Sequence, residues 1–190
     1  MKQSIGAKTI VFPTPVLIIG SYDEGGRPNL MTVAWGGICS SQPPSITISI
    51  RPARQTYRNI MKSQAFTVNI PSTDQVKAAD TLGIYSGAQE DKFALTGLTP
   101  VKSEWVNAPY VEEFPLALEC KVTHTLEIGV HTQFIGEILN AIADQRVLDK
   151  DGNVDIAKVQ PFCFSPSDGG YYRIGEFIGQ AFSIGRKTPV

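Results

Sequence analysis

The strongest constraint on the fold lies in the second half of the chain. Residues 116–127 (LALECKVTHTLE) and 131–142 (HTQFIGEILNAI) are long apolar/polar runs that meet at EIGVH. Alternation with period two places the apolar side chains on one face of a strand. Two such runs joined by so short a link fold back on each other as an antiparallel hairpin, with Gly129 at the turn or at a bulge.

Other segments read the same way. Residues 16–22 are apolar and β-branched, the turn chemistry of DEGGRPN follows, and residues 30–35 resume as a strand, which makes a second hairpin. Residues 46–50 and 66–70 alternate, so each has one buried face. Ser72, Thr73 or Asp74 can cap a helix running through Val76, Ala79 and Leu82. A short helix also fits residues 55–62, with Tyr57, Ile60 and Met61 on one side. DKDGN is another tight turn, and residues 162–165 and 174–184 supply the closing apolar segments. The 190 residues show no linker or internal repeat, so residues 1–190 read as one domain. Many strands with two or three short helices predict a mainly β antiparallel barrel, with a two-sheet sandwich as the alternative. A glycine-rich turn between strand and helix is missing, which disfavours a dinucleotide-binding α/β fold.

The charge balance narrows the partners. Lys and Arg number 17 and Asp and Glu 18, for a formal net charge of -1. That gives no global field for nucleic acid or an acidic membrane, and any basic patch serves a local, small anion. Three scattered cysteines, Cys39, Cys120 and Cys163, form no CxxC pair and suit a reducing cytoplasm. Cys120 falls on the apolar face of its run and is expected in the core. The N-terminal apolar run is short and broken by Pro13 and Pro15, with no span or leader pattern, so the expectation is a soluble cytoplasmic protein.

Against that neutral background, ISIRPARQTYRNI stands out. A strand ends in Arg51, and Ala53, Arg54, Thr56, Tyr57 and Arg58 follow at once. Arginine forks onto phosphate oxygens, and turn N–H groups and a following helix start add donors. A solvated turn is the equally weighted alternative. In SGAQEDKF, Lys92 offers a point charge for a phosphate, with Asp91 to orient it and Phe93 to bury its base; an ordinary charged loop is the favoured reading of this segment alone. In NLMTVAWGGICSSQPP, Trp35 can pack on a flat ligand, while Ser40 and Ser41 offer hydroxyls; a core tryptophan and an ordinary turn explain the same residues. His124 and His131 lack a third metal ligand, and His131, beside the turn, is the better functional candidate. Hydrolase and P-loop motifs are absent.

Together, PTPVLIIGSYDEGGRPNLMTVAWGGICSSQPPSITISIRPARQTYRNI, SGAQEDKFALTGLTP, APYVEEFPLALECKV and HTQFIGEI occur in the order seen in a known family. Over nearly its whole length the chain resembles the flavin reductase-like family, with its FMN-binding split β-barrel, and most of all the flavoredoxin subgroup. The resemblance implies a homodimer with FMN at or near the subunit interface. It implies that Trp35, Ser40 and Ser41 line the isoalloxazine ring, and that Asn29, Thr32 and Ala34 face the ribityl chain or ring edge. The phosphate would lie on residues 51–57 (Arg51, Ala53, Arg54, Thr56 and Tyr57 among them), assisted by Lys92. His131 would stand near the reactive face, as the catalytic candidate. Two features depart from the pattern: Gly129-Val130-His131 stands in place of GDH, and RPARQTY in place of a Ser/Thr-rich phosphate loop. The implied activity is electron transfer through bound FMN, to or from a redox partner protein or NAD(P)H. An NAD(P)H-dependent flavin reductase and a non-catalytic FMN or anion binder are the alternatives.

Overall fold

The computed structural model describes residues 1–186. In chain order the strands and helices are β1 (Thr14–Pro15), β2 (Leu17–Tyr22), β3 (Pro28–Val33), β4 (Gly36–Ser41), β5 (Pro44–Ile50), α1 (Gln55–Ser63), β6 (Ala65–Ile70), α2 (Val76–Ile84), α3 (Lys92–Thr96), β7 (Pro100–Lys102), β8 (Pro109–Val111), β9 (Leu116–Ile128), β10 (His131–Ala143), α4 (Ile156–Val159), β11 (Phe162–Phe164) and β12 (Tyr171–Arg173). Seven strands form one antiparallel sheet in the order β3-β2-β6-β9-β10-β5-β4. The fold is the split barrel expected from the sequence.

The long hairpin is its backbone. β9 pairs with β10 from His131↔Ile128 to Ala143↔Leu116, with register shifts at Ile135/Gly136 and Ile138/Asn140 that bend the ladder. Gly129 makes the turn with φ +55°, a left-handed conformation that other residues adopt at a cost.

The barrel is split between its two edge strands, β3 and β4. No ladder joins them. The chain crosses from one edge of the sheet to the other through Ala34 and Trp35, and Ser49 N donates to Trp35 O at 2.8 Å. The functional cleft opens at this seam.

Two apolar clusters hold the fold. One, inside the barrel, contains Leu17, Ile19, Val33, Ile48, Ile50, Phe66, Val68, Cys120 and Phe134, with Ile60 of α1 reaching in. The other contains Val16, Ile18, Leu30, Ala79, Leu82, Phe93 and Phe162, where α2 and α3 cover the outer face. Successive residues of β2 therefore enter different cores, which explains why residues 16–22 read as a continuous apolar run rather than an alternating one. Cys120 is fully buried, and burial pushes its thiol up to about 12.

α1 spans Gln55–Ser63, close to the predicted helix. Ser72 and Gln75 form a capping box ahead of a 3-10 turn, which leads into α2. The closing segments differ from the sequence reading. Residues 162–165 do form a strand, β11, but on a separate sheet with the order β1-β11-β12. Residues 174–184 form no strand; they run exposed, with Phe177 at 81% and Ile178 at 92%. Their apolar spacing found no sheet edge within the chain. None of the helices among the described residues is long and apolar enough to cross a membrane.

Candidate functional site

The cleft at the seam has two connected parts that share Met31, Thr32 and Arg54. The wider part, about 250 Å³, is lined by Val33, Ala34, Trp35, Ser49, Arg51, His131 and Phe164 together with the shared residues. The narrower part, about 70 Å³, runs on past Arg54 between the start of α1 and the end of α2, along Gln55, Thr56, Leu82, Gly83, Ser86, Gly87 and Lys92. Neither part has an acidic side chain among its lining residues.

The narrow end gathers a cation and hydrogen-bond donors. α1 starts there. Its N-cap, Arg54, makes no side-chain cap, and the first turn contains no acidic residue, so the opening N–H groups of the helix keep their donors free of such partners. Thr56 is buried and accepts a hydrogen bond from Asn29 Nδ2 at 2.9 Å, which leaves the hydroxyl's own proton to donate elsewhere. Asn29 is thus a support behind Thr56, rather than a direct wall of either part of the cleft. Asn59 Nδ2 donates to Ser21 Oγ, and Gln55 Nε2 donates to Asn59 Oδ1, so α1 is tied to β2 through side chains. Gly87 approaches Asn29 so closely that a Cβ there would lie 1.9 Å from Oδ1, so a larger residue would have to displace the amide that supports Thr56.

Lys92 is the central group. It is only 5% exposed, yet its Nζ has one protein acceptor, Leu82 O at 2.7 Å. Burial, and then the charge of Arg54, lower its pKa from 10.5 to about 8. A buried ammonium with three donors and one acceptor is under-satisfied until an anion arrives. Asp91 does not orient it, contrary to the sequence reading. Asp91 is the N-cap of α3 and accepts from Phe93 N and Ala94 N. The DKF triplet is therefore a helix start that delivers Lys92 inward.

The wide end is looser. Thr32 Oγ1 donates to Ala79 O of α2, so its hydroxyl is engaged, while the residue still lines both parts of the cleft. Ala34, Trp35, Arg51 and His131 face this end. Among the described residues neither Arg51 nor Arg54 forms an ion pair.

Several expected residues lie elsewhere. Ser40 and Ser41 sit on the edge hairpin, paired with Ser45 and Pro44, and line neither part of the cleft in the single chain. Ala53 is exposed in the turn. Tyr57 packs on Phe134, with ring centroids 5.8 Å apart, at the end of the barrel core. Arg58 is exposed and donates to Gln55 Oε1. His124 is exposed and paired in register with Ile135, four residues along β10 from His131, so the two histidines share no site. No cluster of metal-ligating side chains occurs among the described residues.

Sequence reasoning missed Ser49 and Phe164. Ser49 had a signal: it is the polar position between Ile48 and Ile50, on the face opposite the core. Phe164 had none, because its strand belongs to a different sheet.

A family model described as the flavin reductase like domain matches residues 9–158. Flavoredoxin of Desulfovibrio vulgaris (Miyazaki F) is 54% identical; the match covers 98% of this chain and 100% of that one, with a TM-score of 0.94. Flavoredoxin from Methanosarcina acetivorans is 30% identical over 98% of each chain, with a TM-score of 0.92. A protein of Archaeoglobus fulgidus without an assigned role is 35% identical over 77% of this chain and 80% of its own.

Proposed function

Because this chain belongs to the flavin reductase-like domain family, we propose that its cleft holds flavin mononucleotide and that the protein passes electrons through it, as a flavoredoxin-type carrier. The observation that carries this reading is Lys92: a buried cation with a single carbonyl partner, at the narrow end of a cleft without acids. A flavin supplies two-electron and one-electron chemistry at its ring. The chain's own residues bind and orient it.

The fit is chemical as well as spatial. A phosphate dianion needs fixed donors, and Lys92, Arg54, the Thr56 hydroxyl and the first N–H groups of α1 converge on the narrow end. Thr32 and Met31, shared by both parts, line the passage for the ribityl chain. The wide end, between Trp35, Ala34 and His131, takes the flat ring. Arg51 stands at that end too. Its positive charge there favours negative charge on the ring and so raises the potential at which electrons are accepted.

The likeness to flavoredoxins over both whole chains favours electron transfer to a redox partner. The second reading, a flavin reductase that uses NAD(P)H, draws on His131 and Arg51 at the ring end, where a nicotinamide nucleotide would find a cation for its phosphates. We also assign a homodimer. Ile38, at 67% exposure on edge strand β4, and Leu126, Ile128 and Val130 at the hairpin tip leave an apolar surface that a second copy would cover.

Purified protein is expected to be yellow and to bind one FMN per chain. A colourless protein that takes up no added FMN would refute the assignment. Negligible NADH and NADPH oxidation with tightly held FMN fits the carrier, whereas saturable turnover with free FMN fits the reductase. Elution as a monomer in size-exclusion chromatography would remove the dimer.

A further inference from the structure

The ring end has one wall from outside the matched domain. Phe164 lies on β11, beyond residue 158 where the family match stops, yet it lines the wide part of the cleft with Trp35, Arg51 and His131. No strand ladder joins its small sheet to the barrel; β1 leads into β2 and a bridge ties Pro161 to Ser72, which place the sheet, but a further neighbour must fix the Phe164 ring itself.

Tyr171 of β12 does so. Its ring packs against Phe164, with centroids 6.0 Å apart, and edge-on against buried Phe162 at 5.6 Å. Its hydroxyl donates to Asp80 Oδ1 of α2 at 2.9 Å. Burial, followed by that bond and the charge of Asp80, raises the Tyr171 phenol to about 12, so it remains a donor throughout the neutral range. The same turn of α2 gives Ala79 O to Thr32 and Leu82 O to Lys92. One helix thus fixes the floor of the cleft, its phosphate cation and, through Tyr171, the aromatic wall at its mouth.

We propose that Phe164 is a specificity-determining residue: it limits how bulky an electron partner can lie against the flavin ring, and Tyr171, latched to Asp80, is its positioning residue. This rests on the flavin reading above. The aromatic wall admits a small planar partner and turns away one with an additional fused ring. Removing the latch leaves Phe164 in place but free to swing.

The test uses FMN-loaded protein, reduced with dithionite under anaerobic conditions and mixed with 1,4-benzoquinone or with a substituted naphthoquinone. In each case the quinone takes two electrons and two protons from the reduced holoprotein and becomes the quinol. The readouts are the ratio of the two rate constants, which cancels general losses in loading, and the ratio of the two quinones' dissociation constants from the oxidised FMN-loaded protein, measured without turnover; the two ratios should move together. Phe164→Ala is expected to shift the ratio toward the bulky quinone by about tenfold, the scale on which a pocket wall discriminates by size. Phe164→Leu should fall between it and the parent, and it decides the matter if the alanine variant does not fold. Tyr171→Phe and Asp80→Ala should each shift the ratio by about 2- to 3-fold, and the double variant no further, because they break one shared bond. An unchanged ratio in FMN-loaded Phe164→Ala or Phe164→Leu overturns the proposal. Failure of the parent protein to load FMN overturns the flavin reading itself, and the proposal with it.

Discussion

The two ends of the cleft are built on different principles. At the narrow end every donor but the exposed Arg54 is held from behind: Thr56 by Asn29, α1 by Asn59 and Ser21, Lys92 by Leu82 O and by the α3 cap at Asp91. At the wide end Arg51 is exposed and unpaired, Trp35 and His131 are half-buried, and the wall comes from a separate small sheet. A phosphate requires a fixed, dry constellation of donors, since charge-assisted hydrogen bonds gain strength where water is excluded. A ring that exchanges electrons with a partner requires access. The contrast predicts that substitutions at the narrow end change how tightly FMN is held, while those at the wide end change its colour, potential and choice of partner.

The largest effect is expected at Lys92. Lys92→Met keeps the stem and removes the charge, so FMN affinity should fall by the equivalent of about 1.5–3 kcal/mol, the worth of a charge-assisted hydrogen bond. The same substitution should raise the melting temperature of FMN-free protein, because the burden of a buried ammonium disappears. A fall in affinity without that gain would mean that Lys92 is better solvated than its burial indicates. Thr56→Val follows. It removes a phosphate donor and orphans the amide of Asn29, and should cost about 1–3 kcal/mol of stability in urea denaturation, with weaker FMN binding.

A pH dependence sharpens the comparison. The Lys92 pKa is about 8 in the folded, FMN-free protein against 10.5 unfolded. The unfolded chain therefore binds more protons between these values, and stability of the FMN-free protein rises with pH across that window. A bound phosphate favours the ammonium and raises its pKa. FMN affinity should accordingly be steady between about pH 6 and pH 8, decline above that window as Lys92 loses its proton, and decline below it as the free phosphate gains one, as followed by fluorescence titration. Smaller effects are expected at the ring end. Trp35→Ala should shift the flavin absorbance bands or potential with little loss of affinity, and Arg51→Ala should lower the potential while weakening FMN less than Lys92→Met does. Equal losses of affinity at Arg51 and Lys92 would erase the distinction between the ends.

What the sequence made legible follows from what is local. The long hairpin, α1 and the Ser72 cap are written in spacing and end chemistry, and they stand close to where they were expected. Residues 51–57 also drew notice, because arginines crowded into a near-neutral chain need a reason, but spacing alone left a solvated turn equally open, and the segment around Lys92 read first as an ordinary charged loop. Their division was not legible. Arg51 and Lys92 read alike as phosphate candidates, and only the tertiary fold separates them, Arg51 lining the wide part of the cleft and Lys92 the narrow part. Ser40 and Ser41 drew notice as hydroxyls ahead of two prolines, and the register of β4 on β5 sets them along the edge hairpin of the single chain. Phe164 depends on contacts with residues far away in sequence, which no spacing rule reports. Residues 174–184 carry apolar side chains that the single chain leaves exposed, so apolar content there did not mark a buried segment.

The central claim, that a buried lysine and the start of α1 fix the phosphate of FMN, is tested most directly by ³¹P nuclear magnetic resonance of the FMN-loaded protein between pH 5 and 8. A free phosphate monoester loses its second proton near pH 6. The account predicts a bound resonance displaced from that of free FMN, unmoved across the range because the dianion is locked by Lys92, Arg54 and Thr56. A resonance that titrates with the free-ligand midpoint would contradict it, placing the phosphate in water and Lys92 outside the site.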